Sequence, residues 1–273
     1  MKIALDAMGG DHAPRQTVLG ALDAAADGVD AVLVGDAAAL RDELRSAGGD
    51  LPIVHADEDI GMHDEPAAAI RSKKGASVTV AARMVAEGEA AGMVSAGSTG
   101  AALAAAALVI GRLPGVTRPA IATIFQMGVP AVVLDAGANT VVQPVALAEF
   151  GVMGAAVASV YLGIERPAVG LLNIGEEPGK GRDLEREAHR LLAALPIHFV
   201  GNVEGRDLGT GKADVFVTDG FTGNVVLKSA EGTARAVAAI VLESLAADAD
   251  PEFQEAAGKV LPKLLAVRER FDP

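Results

Sequence analysis

Six short turns carry most of the side chains that could do chemistry. The first, Asp6-Ala7-Met8-Gly9-Gly10-Asp11-His12, follows an apolar run. The second, Ser95-Ala96-Gly97-Ser98-Thr99-Gly100, opens an Ala-rich stretch. The others are Asp135-Ala136-Gly137-Ala138-Asn139, Asn173-Ile174-Gly175-Glu176-Glu177 with Lys180-Gly181 beyond it, Gly201-Asn202-Val203-Glu204-Gly205, and Asp219-Gly220-Phe221-Thr222-Gly223-Asn224. Each sets carboxylates, carboxamides, hydroxyls or an amine beside glycine, which lets backbone N–H groups approach a ligand closely.

These residue types leave more than one reading open. Ser98 and Thr99 at a helix start suit an anion, because orphan N–H groups and the helix dipole favour negative charge there; the same residues also make an ordinary N-cap. Asp6 and Asp11 are either a solvated turn pair or the orienting carboxylates of a network that includes His12. Lys180, in Pro178-Gly179-Lys180-Gly181, is either a solvated loop lysine or a cation able to reach a phosphate or a developing oxyanion. Asn224 is either a helix cap or an amide donor to a reacting carbonyl. Glu176, Glu177 and Glu204 have the chemistry of general bases or of metal ligands. No HExxH or Asp-x-Asp cluster accompanies them, so no dedicated metal site is expected. Neither a Walker loop nor GxGxxG occurs, and there is no GxSxG elbow.

Composition narrows the classes further. Lys and Arg number 23 against 36 Asp and Glu, a net charge of −13. That charge, with no basic stripe, argues against nucleic acid. There is no Cys, which removes disulfides, thiolate metal sites and a Cys nucleophile and fits a cytoplasmic protein. The start, Met1-Lys2-Ile3-Ala4-Leu5-Asp6, reaches an acid too soon for a signal peptide. The longest apolar stretch, Phe150 to Ile164, reads as too short and too rich in Gly and Ala to span a bilayer. Apolar residues make up 51% and aromatics 3%, so a sizeable core must be built from Ala, Val, Leu and Ile.

The elements that must position the turns alternate. Expected strands are Lys2–Ala7, Asp30–Val34, Ile53–His55, Gly92–Ser95, Ala120–Phe125, Ala131–Leu134, Val169–Asn173, His198–Gly201 and Val215–Thr218. Expected helices are Arg15–Ala26, Ala37–Ala47, Val78–Glu87, Thr99–Ile110, Pro144–Leu162, Leu184–Ala194, Val225–Ala246 and Pro251–Arg268. Most of the strand runs are continuously apolar, as in a sheet covered on both faces. This alternation is that of an α/β fold with a mostly parallel sheet flanked by helices. Without a linker or repeat, the chain reads as one α/β domain over residues 1–273. After Asn224 two helical segments follow without a strand, broken at Asp248-Ala249-Asp250-Pro251, and read as a helical hairpin over 225–268. In such folds ligands sit beyond the carboxyl ends of strands, so all six turns are expected on one edge of one sheet.

Taken together, the turns resemble those of the bacterial PlsX family. The resemblance rests on Asp6 through Pro14, Val94 through Ala101, Gly111-Arg112-Leu113-Pro114-Gly115, Arg118 through Ala122 and Asp135 through Asn139. It continues through Leu171 to Glu177, Gly201 to Asp207 and Thr218 to Lys228, and so covers essentially the whole chain. Two departures stand out. Arg71-Ser72-Lys73-Lys74-Gly75-Ala76-Ser77 resembles the family's basic segment with the second basic residue and the first of two serines altered, which bears on carrier-protein contact. The family also normally continues past the position of Phe271-Asp272-Pro273 into a Gly-Ala-Pro-rich segment and a His-Gly strand.

The resemblance implies an isopropylmalate dehydrogenase-like or phosphate acetyltransferase-like fold. It implies transfer of a long-chain acyl group from acyl-acyl carrier protein to inorganic phosphate, feeding phospholipid synthesis without a cofactor. Implied catalytic residues are Lys180 and Asn224, for the oxyanion and the thioester carbonyl, with Asp6, His12 and Asp219 orienting or shuttling protons. Implied binding residues are Gly9, Gly10, Asp11, Ser95, Gly97, Ser98, Thr99, Asn139, Asn173, Glu176, Asn202, Glu204 and Thr222, with Ser98 and Thr99 cradling phosphate. The absence of Cys fits direct attack by phosphate, since a thiolate already leaves well. A homodimer and peripheral contact with the inner membrane face are implied through the helical tip at Val260-Leu261-Pro262-Lys263-Leu264-Leu265. The competing readings are a CoA-dependent phosphate acyltransferase, a nicotinamide enzyme and a non-catalytic membrane-surface scaffold.

Overall fold

The computed structural model describes residues 1–247, 258–262 and 265. The expected helix Pro251–Arg268, the break before it and the final Phe271-Asp272-Pro273 lie outside these residues, apart from 258–262 and 265. Contacts divide the chain into two compact units, the first Met1–Pro119 and the second beginning at Ala120.

The first unit is built on β1 (Lys2–Asp6), α1 (Arg15–Ala26), β2 (Asp30–Gly35), α2 (Ala37–Ala47), β3 (Ile53–His55), α3 (Pro66–Ser72), α4 (Ser77–Ala86), β4 (Gly92–Ser95) and α5 (Thr99–Ala105). Its four strands run parallel in the order β3-β2-β1-β4. The strand β2 is buried from Ala31 to Gly35, as its unbroken apolar run requires. Helix α2 buries Leu40 and Leu44 one turn apart, and Asp36 caps it by accepting from the Ala39 N–H at 2.7 Å. Helix α3 has no counterpart among the expected helices. Its signal is Glu65-Pro66, an acid that caps the helix by accepting from the Ala67 and Ala68 N–H groups, followed by proline at the first helical position. The expected helix Thr99–Ile110 is one rod, with its last turn widened to π geometry over Ala106–Ile110.

The second unit contains β5 (Ala122–Phe125), β6 (Ala131–Leu134), α6 (Pro144–Tyr161), β7 (Ala168–Leu172), α7 (Asp183–Ala193), β8 (His198–Val203), β9 (Val215–Val217) and α8 (Gly220–Ala247). Its sheet has the order β5-β6-β9-β7-β8. All of its pairs are parallel except β5 with β6, whose short link is too brief for a crossover. One face packs Phe150, Leu147 and Ala158 of α6 and Leu192 of α7 against the strands. The other packs Val226, Leu227 and Ala230 of α8 around Phe216 and Phe125. The strands thus form two sheets, not one. The six turns do not share one sheet edge: the first two follow β1 and β4, and the other four follow β6, β7, β8 and β9.

Helix α6 has 18 residues and a mean hydropathy of 1.5, so by length and composition alone it could cross a bilayer; it begins six residues before the apolar stretch Phe150 to Ile164. Its buried residues pack into the core just described, as those of a covering helix do. Helix α8 differs: after Gly223 none of its described residues is buried, and Val237, Ile240 and Val241 are exposed.

Candidate functional site

Buried Asp6 organises the first unit's turns. Its two carboxylate oxygens accept hydrogen bonds from the hydroxyls of Ser77 and Ser95, each at 2.6 Å, and the Ser95 hydroxyl in turn accepts from the Gly97 N–H at 3.1 Å. The turn after β1 presses against the turn after β4. A Cβ on Gly9 would lie 2.6 Å from Asp6 and 2.9 Å from the Gly97 nitrogen, so only glycine fits. Gly9, Gly10, Ser95 and Gly97 therefore come together. Ser98 is the N-cap of α5, its hydroxyl accepting from the Ala101 N–H at 3.4 Å. Asp11, His12 and Thr99 are exposed, and their side chains make no hydrogen bond or ion pair among the described residues. Asp6 thus has the geometry of an orienting carboxylate, with both oxygens engaged.

In the second unit Asp135, fully buried at the end of β6, plays the equivalent part. It accepts from the backbone N–H groups of Ile121, Gly137, Ala138 and Asn139 and from the Asn139 side-chain amide. Asn139 in turn accepts at its carbonyl from the Gly220 N–H at 2.8 Å, which seats the start of α8 on this loop. Asn173 accepts from the Ile174 N–H and donates to the Lys180 carbonyl. Gly181, at φ +90°, lies so close to Asn173 that a Cβ would sit 2.6 Å from its amide oxygen. Buried Asn202 donates to the Glu177 carbonyl at 2.7 Å and lies 3.0 Å from His189 Nδ1. Glu176 pairs with Lys212, which also reaches Asp207. Glu204 pairs with Arg206 at 2.7 Å. Asn139, Asn173, Asn202, Glu176 and Glu204 are thus occupied in shaping loops.

What these loops present is Lys180 and Asn224. Both are exposed, and neither the ammonium nor the amide makes a hydrogen bond or ion pair among the described residues. Asn224 lies against Gly137, where a Cβ would be 3.7 Å from its amide oxygen. A cation and an amide donor are groups that can stabilise an oxyanion.

Arg182 and Glu185 are not among the residues the sequence singles out, and Ser77 enters there only as the end of the segment beginning at Arg71. Arg182 forms a fork to Glu185 and donates to Asp219 at 2.8 Å, while Asp219 accepts from the Thr222 N–H at 2.7 Å and so caps α8. The i,i+3 spacing of Arg182 and Glu185 is visible in the sequence; the bond to Asp219, 37 residues away, is not. Glu185 and Asp219 raise the Arg182 pKa above its usual range. Burial pushes Glu185 up, but the Arg182 guanidinium and backbone N–H outweigh it and hold the carboxyl below 4.5. Burial likewise raises Asp207, and the Glu204 N–H and Lys212 outweigh it, leaving Asp207 below 3.8.

Acid stability follows from those signs. A carboxylate with a depressed folded-state pKa stabilises the fold above its unfolded value and loses that contribution as pH falls through the folded one. Stability to urea is expected to fall as pH drops below about 4.5, and Glu185→Gln and Asp207→Asn should each flatten that slope. An unchanged slope in both variants would remove these groups from the acid response.

Between Leu172, Asn173, Thr218 and Val226 the second unit opens a cleft of about 470 Å³. Among the described residues no group of His, Asp or Glu is arranged to hold a metal ion.

The model of a family described as fatty acid synthesis protein matches residues 1–260. A phosphate acyltransferase from Bacillus cytotoxicus is 46% identical over 276 residues, spanning 100% of this chain and 83% of that protein. A phosphate acyltransferase from Desulforamulus reducens is 50% identical over 249 residues, spanning 90% and 75%. A phosphotransacetylase from Streptococcus pyogenes shares the fold at a TM-score of 0.64 and 20% identity, over 86% of this chain and 82% of that one. The EutD phosphotransacetylase from Staphylococcus aureus does so at 0.62 and 21%, over 85% and 82%. The chain belongs to the fatty acid synthesis protein family, the PlsX-type phosphate acyltransferases.

Proposed function

From its place among the phosphate acyltransferases, we propose that this protein transfers a long-chain fatty acyl group from acyl-acyl carrier protein to inorganic phosphate. A phosphate oxygen attacks the thioester carbonyl, the tetrahedral oxyanion collapses, and the carrier thiolate leaves. The products are acyl phosphate and free carrier thiol. The observation that carries this reading is the contrast in the second unit between spent and unspent polar groups. Asn139, Asn173 and Asn202 hold loops, while among the described residues the Lys180 ammonium and the Asn224 amide make no hydrogen bond or ion pair.

Lys180 neutralises charge on the phosphate or the oxyanion, and Asn224 donates to the thioester carbonyl. In the first unit, Ser98, Thr99 and neighbouring N–H groups hold phosphate at the start of α5, on a turn fixed by Gly9, Gly10, Ser95 and Gly97. Asp6 orients that turn through Ser95, and His12 moves the proton. Asp219 positions Thr222 and the start of α8. The protein acts in the cytoplasm as a homodimer with peripheral membrane contact. Support for the last point comes from the exposed apolar residues of α8 and from exposed Val260 and Leu261.

The donor decides between this reading and its nearest rival. With phosphate saturating, the acyl-carrier thioester is expected to release thiol at least 10-fold faster than the matching CoA thioester at equal concentration. A preference for the CoA thioester would make the protein a CoA-dependent phosphate acyltransferase. Binding of other lipid enzymes with no turnover of either donor would make it a scaffold.

A further inference from the structure

We propose that the cleft in the second unit holds the hydrocarbon of the acyl donor, a reading that rests on the acyl transfer proposed above. Leu172, Ile174 and Val226 supply its apolar wall, and Thr218 and Thr222 face it from the end of β9 and the start of α8. At about 470 Å³ it has the size of a small-molecule site.

Charge selects the occupant. The polar residues on the wall are Asn173, Arg182, Glu185 and the two threonines. The Asn173 amide is engaged with the Lys180 carbonyl and the Ile174 N–H. The Arg182 guanidinium is clamped between Glu185 and Asp219, both buried. One positive and two negative charges leave this cluster with a net charge of −1, which disfavours a phosphate dianion. A neutral chain meets no such penalty, and each methylene buried against the wall gains about fourfold in affinity. Asn173 and Gly181 flank Lys180 in the chain and also line the cleft, so the hydrocarbon lies beside the loop that presents the ammonium to the thioester.

Chain-length selectivity tests this. Val226→Phe fills the cleft from α8, and Ile174→Trp fills it from an exposed position whose replacement spares the core. In both variants kcat/KM for a sixteen-carbon donor is expected to fall at least 10-fold relative to an eight-carbon donor, with the KM for phosphate unchanged. If the folded variants keep the parent's chain-length profile, or lose all donors equally while the phosphate KM rises, the cleft does not hold the chain. If the parent forms acyl phosphate from no donor, the reaction itself falls, and this site with it.

Discussion

Replacing Lys180 by alanine is expected to lower turnover by about 100-fold or more, and Asn224→Ala by a similar factor, with the fold intact. The size follows from what a single preorganised donor or cation contributes to a developing oxyanion. Both side chains are exposed and, among the described residues, make no hydrogen bond or ion pair, so their removal breaks none. Alanine within α8 also raises helix propensity over asparagine, which separates a catalytic loss from unfolding. Steady-state kinetics with thermal melts of each variant checks both halves. Near-full turnover in both variants would take the oxyanion role from these residues.

Gly223→Ala is expected to destabilise the second unit by about 3 kcal/mol, in the upper range for overpacking. A Cβ there would lie 1.9 Å from the Asp135 carbonyl oxygen and 3.1 Å from Thr218. The helix can relieve that contact only by withdrawing from the loop whose carboxylate already satisfies four backbone N–H groups. Gly232→Ala, farther along the same helix, meets nothing within 4 Å and should stabilise by roughly 0.5–1 kcal/mol through backbone entropy. Urea unfolding of the pair reads the contrast directly. Equal effects would mean that α8 does not depend on its approach to Asp135.

Why the fold was so legible lies in the strands. Runs such as Ala131–Leu134 and Ile53–His55 are bounded by polar turns and have no competing helical period, and all nine expected strands formed within a few residues. Pairing was less visible, because continuously apolar strands carry no register or neighbour information. The division into two sheets, and the reversal of β5, depend on long-range packing. At the site, the turns were readable because six of them set glycine beside polar side chains at strand ends, although each taken alone also reads as an ordinary turn or cap. The distribution of labour inside them was not. Asn202 and Asn173 look like ligand donors in sequence, yet each amide is spent on a neighbouring loop carbonyl. Arg182 looks like a surface residue, yet it joins α7 to the cap of α8 through Asp219.

The most direct measurement is an incubation with long-chain acyl-acyl carrier protein and oxygen-18-labelled phosphate, read by intact-mass spectrometry of product, carrier and enzyme. Direct attack predicts acyl phosphate that retains all of the phosphate oxygens, an equal amount of free carrier thiol, and no mass added to the enzyme. Carrier thiol released without labelled acyl phosphate, or an acyl group found on the enzyme, would contradict it.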